Sequence, residues 1–139
     1  MTRTLLLLAA VAFCWHCNRN THTYDELPDR HLQFGTGGGF TGEVITYTLL
    51  ENGQLFWERS LQQGEASALP AARKKAAGQL FEQASALACS EVLQPANRYA
   101  FFNRITAVDT CRWMWPADQG APNPAIDSLF RQLLELTGP

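Results

Sequence analysis

Twice along this chain two β-prone runs are followed by a segment of helical period, and that order limits the fold more than any other feature. The first pair spans residues 43–50 and 55–61, rich in Val, Ile, Thr, Tyr, Phe and Trp, with Glu51-Asn52-Gly53-Gln54 between them. Asn-Gly between two such runs predicts a hairpin with a type I′ turn, whose twist suits paired antiparallel strands. Over residues 69–87 the period becomes helical: Leu69, Arg73, Ala76, Leu80, Ala84 and Leu87 form one stripe, Ala77 and Phe81 flank it, and Pro70 fits the first turn. Gly78 weakens that helix by about 1 kcal/mol relative to Ala.

The second pair is residues 98–105 and 111–115, where Tyr99, Phe101 and Ile105 alternate with Ala100, Phe102 and Arg104, and Cys111, Trp113 and Trp115 with Arg112 and Met114. One face of this hairpin is expected to carry the large rings into the core. After a loop over 117–122, Asn123-Pro124 supplies a cap and a first-turn proline for a last helix. Ile126, Leu129, Phe130, Leu133 and Leu134 should point inward, with Gly138 at its end. The expected fold is therefore α+β, a two-layer sandwich of a four-stranded, mainly antiparallel sheet with both helices on one face, ordered ββαββα. Leu32 and Phe34 add at most a short leading strand.

The N-terminus carries a different kind of information. Arg3, the apolar run 5–13 and the segment Cys14-Trp15-His16-Cys17 have the layout of an export signal, too short for a membrane span of about 20 apolar residues. Ala10-Val11-Ala12 offers a small-residue cleavage site, giving a soluble periplasmic or secreted product. A cysteine after the apolar run, followed by the polar Asn18-Arg19-Asn20-Thr21, instead reads as a lipoprotein junction, with Cys17 the favoured lipidation site and Cys14 the alternative. On this reading residues 1–17 are the signal segment, 18–30 a polar tether and 31–139 a single domain. The protein is expected to be exported and lipid-anchored in the cell envelope. An oxidising compartment permits a disulfide between Cys89 and Cys111, worth ~3 kcal/mol, against the alternative of two buried thiols.

Chemistry is harder to find. Cys14-Trp15-His16-Cys17 spells CxxC, but no strand precedes it, as a redox motif requires, and His16 lies between the cysteines, where haem attachment would need it after them. Cys89 and Cys111 lack the second ligand pair of a zinc site, so no metal is expected. Gly37, Gly39 and Gly42 satisfy GxGxxG, yet a strand follows where a nucleotide site needs a helix N-terminus, and no cofactor is expected.

The segment Gly37, Gly38, Gly39, Phe40, Thr41 and Gly42 reads either as a loop allowing close backbone approach or as a recognition loop with Phe40 as its apolar anchor. His16, His22 and His31 all precede the expected core, which leaves no Ser-His, Cys-His or histidine-metal constellation there. Glu43, Glu58, Asp109 and Asp118 show no spacing that demands convergence, so no catalytic residue is assigned. Arg98, Arg104 and Arg112 interleave with Tyr99, Phe102 and Met114 like a base-stacking platform. With Arg3 removed in the leader, however, ten basic residues face 13 acidic ones, which argues against a nucleic-acid partner.

The nonapeptide Phe34-Gly35-Thr36-Gly37-Gly38-Gly39-Phe40-Thr41-Gly42, the hairpin over 47–56, Pro95-Ala96-Asn97-Arg98-Tyr99 and Trp113-Met114-Trp115 together resemble a family of small exported bacterial proteins, often lipoproteins, of unknown function. Gly38-Gly39-Phe40-Thr41-Gly42 and the element order also resemble the emfourin-like inhibitors of thermolysin-type metalloproteases. The export signal, the polar tether and the lack of a catalytic constellation together point to a non-enzymatic envelope domain that is held at a membrane by its anchor and binds an envelope protein, while the first resemblance adds no activity. The second implies a protease as that partner.

Overall fold

The computed structural model describes residues 21–62 and 66–138. The signal segment, Cys14 and Cys17 lie outside the described residues, as do tether residues 18–20. In chain order the elements are β1 (His31–Gly38), β2 (Val44–Leu50), β3 (Leu55–Arg59), β4 (Ser67–Leu69), α1 (Lys74–Ala86), β5 (Val92–Leu93), β6 (Arg98–Ile105), β7 (Thr110–Pro116) and α2 (Pro124–Glu135). The fold is α+β. Among the described residues one mixed sheet of seven strands runs in the order β4-β3-β2-β1-β6-β7-β5, with β5 parallel to β7 and every other pairing antiparallel. None of the described helices is long and apolar enough to cross a membrane.

The expected four-stranded sheet of ββαββα order is corrected at three places. β1 is the central strand, pairing with β2 over seven positions and with β6 over eight. Its glycines conceal it, because they look like breaks while the chain runs straight through Gly35 and Gly37 to Gly38. β4 and β5, of three and two residues, are too short to show a period.

Neither Gly35 nor Gly37 has positive φ, so close approach is what demands glycine there. A Cβ on Gly37 would lie 2.5 Å from Cζ of Tyr99, and one on Gly35 would overlap the Ile45 carbonyl oxygen and lie 3.1 Å from Cζ of Phe101. Tyr99 and Phe101 stand opposite these glycines in the β1–β6 ladder, and their rings cover them in the manner of aromatic rescue.

Rings therefore occupy both faces of the β6–β7 hairpin. Phe102, Trp113 and Trp115 join Leu32, Phe34, Leu49 and Leu55 in the core, which is closed by Ala77, Leu80, Phe81 and Ala84 of α1 and Ile126, Leu129, Phe130 and Leu133 of α2. Phe102 stacks on Trp113 at 5.3 Å and Trp115 meets Phe130 edge-on at 5.0 Å.

Turn and helix chemistry account for the remaining boundaries. No described non-glycine residue has positive φ, so the β2–β3 turn is not type I′. Within this turn Gly53 alone takes positive φ (92°), its N–H donates to the Leu50 carbonyl at 2.9 Å, and Asn52 Oδ1 accepts from the Gln54 N–H at 2.9 Å. That is a type I turn closed by a glycine bulge. The first helix starts at Lys74 and not at Leu69, because Leu69 pairs with Leu55 and Pro70 keeps its predecessor extended. Arg73 caps α1 without a side-chain bond, and the lysines at 74 and 75 oppose the dipole at its N-terminus, so tertiary packing holds this helix. By contrast α2 opens as its sequence indicates: Asn123 Oδ1 accepts from the Ile126 N–H at 2.9 Å, with Pro124 in the first turn.

The described part of the expected tether, residues 21–30, packs on the sheet. Tyr24 meets Phe56 edge-on at 5.8 Å and donates to Glu58 Oε2 at 2.7 Å, while the His22 backbone exchanges two bonds with the Gln54 side chain. Arg30 pairs with Glu51 at 2.7 Å and lies 5.4 Å over the Phe81 ring. Burial, together with the hydrogen bond to Glu58, pushes the Tyr24 phenol up to about 12.

Candidate functional site

One end of the sheet gathers the turn between β1 and β2, the chain leaving β3, the approach to β6 and the exit from β7. Backbone bonds hold these loops together: Gly38 N–H to Glu43 O at 3.1 Å, Gly39 N–H to Asn97 O at 2.6 Å, Ser60 N–H to Val44 O at 2.9 Å and Ala117 N–H to Arg98 O at 3.0 Å. The six residues read as a recognition loop divide here. Gly37 and Gly38 are the last residues of β1, and Gly39, Phe40, Thr41 and Gly42 form the turn.

Phe40 is fully exposed (108 %) at its tip. An aromatic ring in that position gains nothing for the fold. It sits on a turn whose base is fixed, because Arg59 Nε and Nη2 each donate to the Glu43 carboxylate at 2.8 Å. This bidentate pair holds the Glu43 carboxyl below its ordinary value, chiefly through those hydrogen bonds and further through the guanidinium charge.

Two shallow depressions adjoin the turn. One of about 440 Å³ is lined by Ala96, Asn97, Arg98, Ala117 and Asp118. The other, about 170 Å³, lies among Thr36, Gly37, Thr41, Glu43, Arg98 and Tyr99. Arg98 and Ala117 are common to both, so a single cation stands between them.

The carboxylates noted in the sequence are distributed over three places. Glu43 is committed to Arg59 and Asp118 lines the neighbouring depression, whereas Glu58 accepts from Tyr24 on the open face of the sheet. Asp109 lies in the β6–β7 turn at the opposite end, where Thr106 Oγ1 donates to it at 2.5 Å. His31 Nδ1 lies 2.8 Å from the Pro28 carbonyl, and His22 is tied by its backbone to Gln54.

Also at that far end, the sulfurs of Cys89 and Cys111 are bonded to each other, with a Cα separation of 5.3 Å. The Asp109 carboxylate lies beside them, its oxygen and both sulfurs within 4.8 Å of one another, though sulfurs joined in a disulfide offer no thiolate to a metal. Arg112 is exposed on the other face, and Arg104 turns inward to cap α1, so the three arginines of the supposed stacking platform do not share a surface.

Arg59 belongs to this end of the molecule without any motif to mark it, and Tyr99 stands there at the close of the 95–99 segment, which assigns it no role. Their signals are positional: Arg59 stands opposite Ile45 in the β2–β3 ladder, diagonal to Glu43, and Tyr99 and Phe101 repeat the two-residue spacing of Gly37 and Gly35. No protein-family model, curated protein or solved structure matches the chain.

Proposed function

We propose that this is a non-enzymatic interaction domain of the cell envelope, exported by its leader and held at a membrane by acylation of Cys17, or alternatively Cys14. It engages an envelope protein through the turn between β1 and β2. The observation that carries this reading is Phe40, a fully exposed ring on a turn clamped by the Glu43–Arg59 pair. Apolar anchors on pre-ordered loops supply binding energy at low conformational cost. A photo-crosslinking residue placed at position 40, compared with one at Val108, tests it in intact envelopes. Val108 is nearly as exposed (92 %) but lies in the turn at the other end of the sheet. A discrete adduct from position 40 and none from 108 is expected, and equal labelling from both sites removes the reading.

A second reading, inhibition of a thermolysin-type metalloprotease, draws on the same turn, since a single apolar side chain on a rigid loop suits a protease subsite. Stoichiometric inhibition weakened by Phe40→Ala supports it. Indifference across a panel of such proteases eliminates it and leaves the interaction reading to the crosslinking test.

A further inference from the structure

The two sulfurs of the Cys89–Cys111 disulfide have unlike surroundings. Cys89 is exposed on the link between α1 and β5, while Cys111 is fully buried (0 %) on the helix-facing side of β7. Arg104 stands opposite Cys111 in the β6–β7 ladder, and its Nη2 donates to Cys111 Sγ at 2.9 Å. The same guanidinium is locked in place from its other side, where Nη1 donates to the carbonyls of Ala84 at 2.9 Å and Leu87 at 3.0 Å at the end of α1. Only 12 % of the Arg104 side chain is exposed. A fixed cation thus touches one sulfur of the bond, and the other belongs to an exposed residue.

We propose that this disulfide is a thiol–disulfide exchange site, opened by a dithiol that attacks Cys89. Exchange requires access to the attacked sulfur and is faster when the expelled sulfur is a stable thiolate. The reagent's thiolate forms a new S–S bond with Cys89 Sγ as the Cys89–Cys111 bond breaks. The electron pair of the broken bond leaves on Cys111 Sγ, where Arg104 already donates a hydrogen bond to the developing anion. The reagent's second thiol, after releasing its proton to water, attacks its own sulfur in the mixed disulfide. Cys89 is then expelled as a thiolate and takes up a proton. The dithiol ends as a disulfide, and the protein gains the two electrons it gave up.

Two groups oppose the thiolate. Asp109 Oδ2 lies 3.9 Å from both Cys111 Sγ and Arg104 Nη2, and the α1 C-terminus presents its carbonyls. Asp109 is half exposed and therefore screened by water, and Arg104 already takes up the Ala84 and Leu87 carbonyls. The direct bond at 2.9 Å is the stronger influence. Opening would release the link between α1 and β5 from β7.

The test uses the purified full chain with glutathione as a monothiol probe, acid quenching and peptide mapping of the adduct. Glutathione on Cys89 in large excess over Cys111 is expected, and an even split or preference for Cys111 overturns the proposal. Opening by dithiothreitol, followed by alkylation and mass, should slow about three- to tenfold in Arg104→Gln and little in Arg104→Lys. Asp109→Asn, which keeps the turn's polar group, should open faster than wild type and supplies the test should Arg104→Gln not fold. Wild-type rates in a folded Arg104→Gln, or slower opening in Asp109→Asn, also overturn it.

Discussion

Gly35 and Gly37 look equivalent in sequence, two glycines of one central strand each covered by a ring of β6, and the structure separates them sharply. A methyl group on Gly35 would overlap the Ile45 carbonyl oxygen, an atom of the neighbouring backbone that can move only if β2 parts from β1. A methyl on Gly37 would strike only the outer atoms of Tyr99, at 2.5 Å from Cζ and Oη, and the half-buried ring can swing aside. Overpacking costs about 1–3 kcal/mol, and loosening a ladder hydrogen bond adds about 1. Replacing glycine by alanine at ordinary φ returns about 0.4–1 through the unfolded chain. Gly35→Ala should therefore destabilise by roughly 1–3.5 kcal/mol. At Gly37 the loss of a cross-strand contact worth about 0.2–1 kcal/mol roughly cancels the gain, leaving Gly37→Ala near neutral. Phe101→Ala should not rescue Gly35→Ala, because the obstacle is backbone. Urea unfolding at constant m-value measures all three. Equal losses at the two glycines, or recovery of Gly35→Ala by Phe101→Ala, would refute the reasoning.

Breaking the disulfide with Cys89→Ala and Cys111→Ala together should cost about 3 kcal/mol from the 22-residue separation it spans, read as the shift in the urea midpoint. Tyr24, with its folded pKa raised to about 12 by burial and Glu58, contributes stability that is complete below the unfolded tyrosine value and lost as pH rises through about 12. Spectrophotometric titration should show a late-ionising phenol in wild type that is missing in Tyr24→Phe. Glu43 has the opposite sign: its carboxyl is depressed by Arg59, so its contribution is present above the unfolded glutamate value and fades as pH falls through the folded one. Glu43→Gln should be less stable than wild type at pH 7, with the difference vanishing in acid. Phe40→Ala should leave the unfolding free energy from urea titration unchanged within about 0.5 kcal/mol, as befits an exposed position.

What could be read in the sequence was whatever a local rule governs. The cap and proline of α2, the alternation of β6 and β7, and the strands flanking Asn52-Gly53 each depend on residues within a few positions of one another. Apart from the type of the β2–β3 turn, which residues 51–53 decide among themselves, the departures from the structure turn largely on a partner distant in the chain. Gly35 and Gly37 are strand residues only because Phe101 and Tyr99, more than sixty positions on, bring rings to lie over them. Leu69 leaves the helix because Leu55 offers it a ladder position. The same distinction divides the candidate site. Phe40 could be picked out from its glycine neighbours alone, since no nearby pattern would bury it. The clamp that turns its loop into a fixed platform could not, because the Arg59 side chain reaches Glu43 only after β2 and β3 have paired in one register. Slipping that hairpin by one residue would send Arg59 to the other face of the sheet and leave Glu43 without its partner. The presentation of Phe40 thus depends on the register fixed by the type I turn and glycine bulge at Gly53, at the far end of the same two strands.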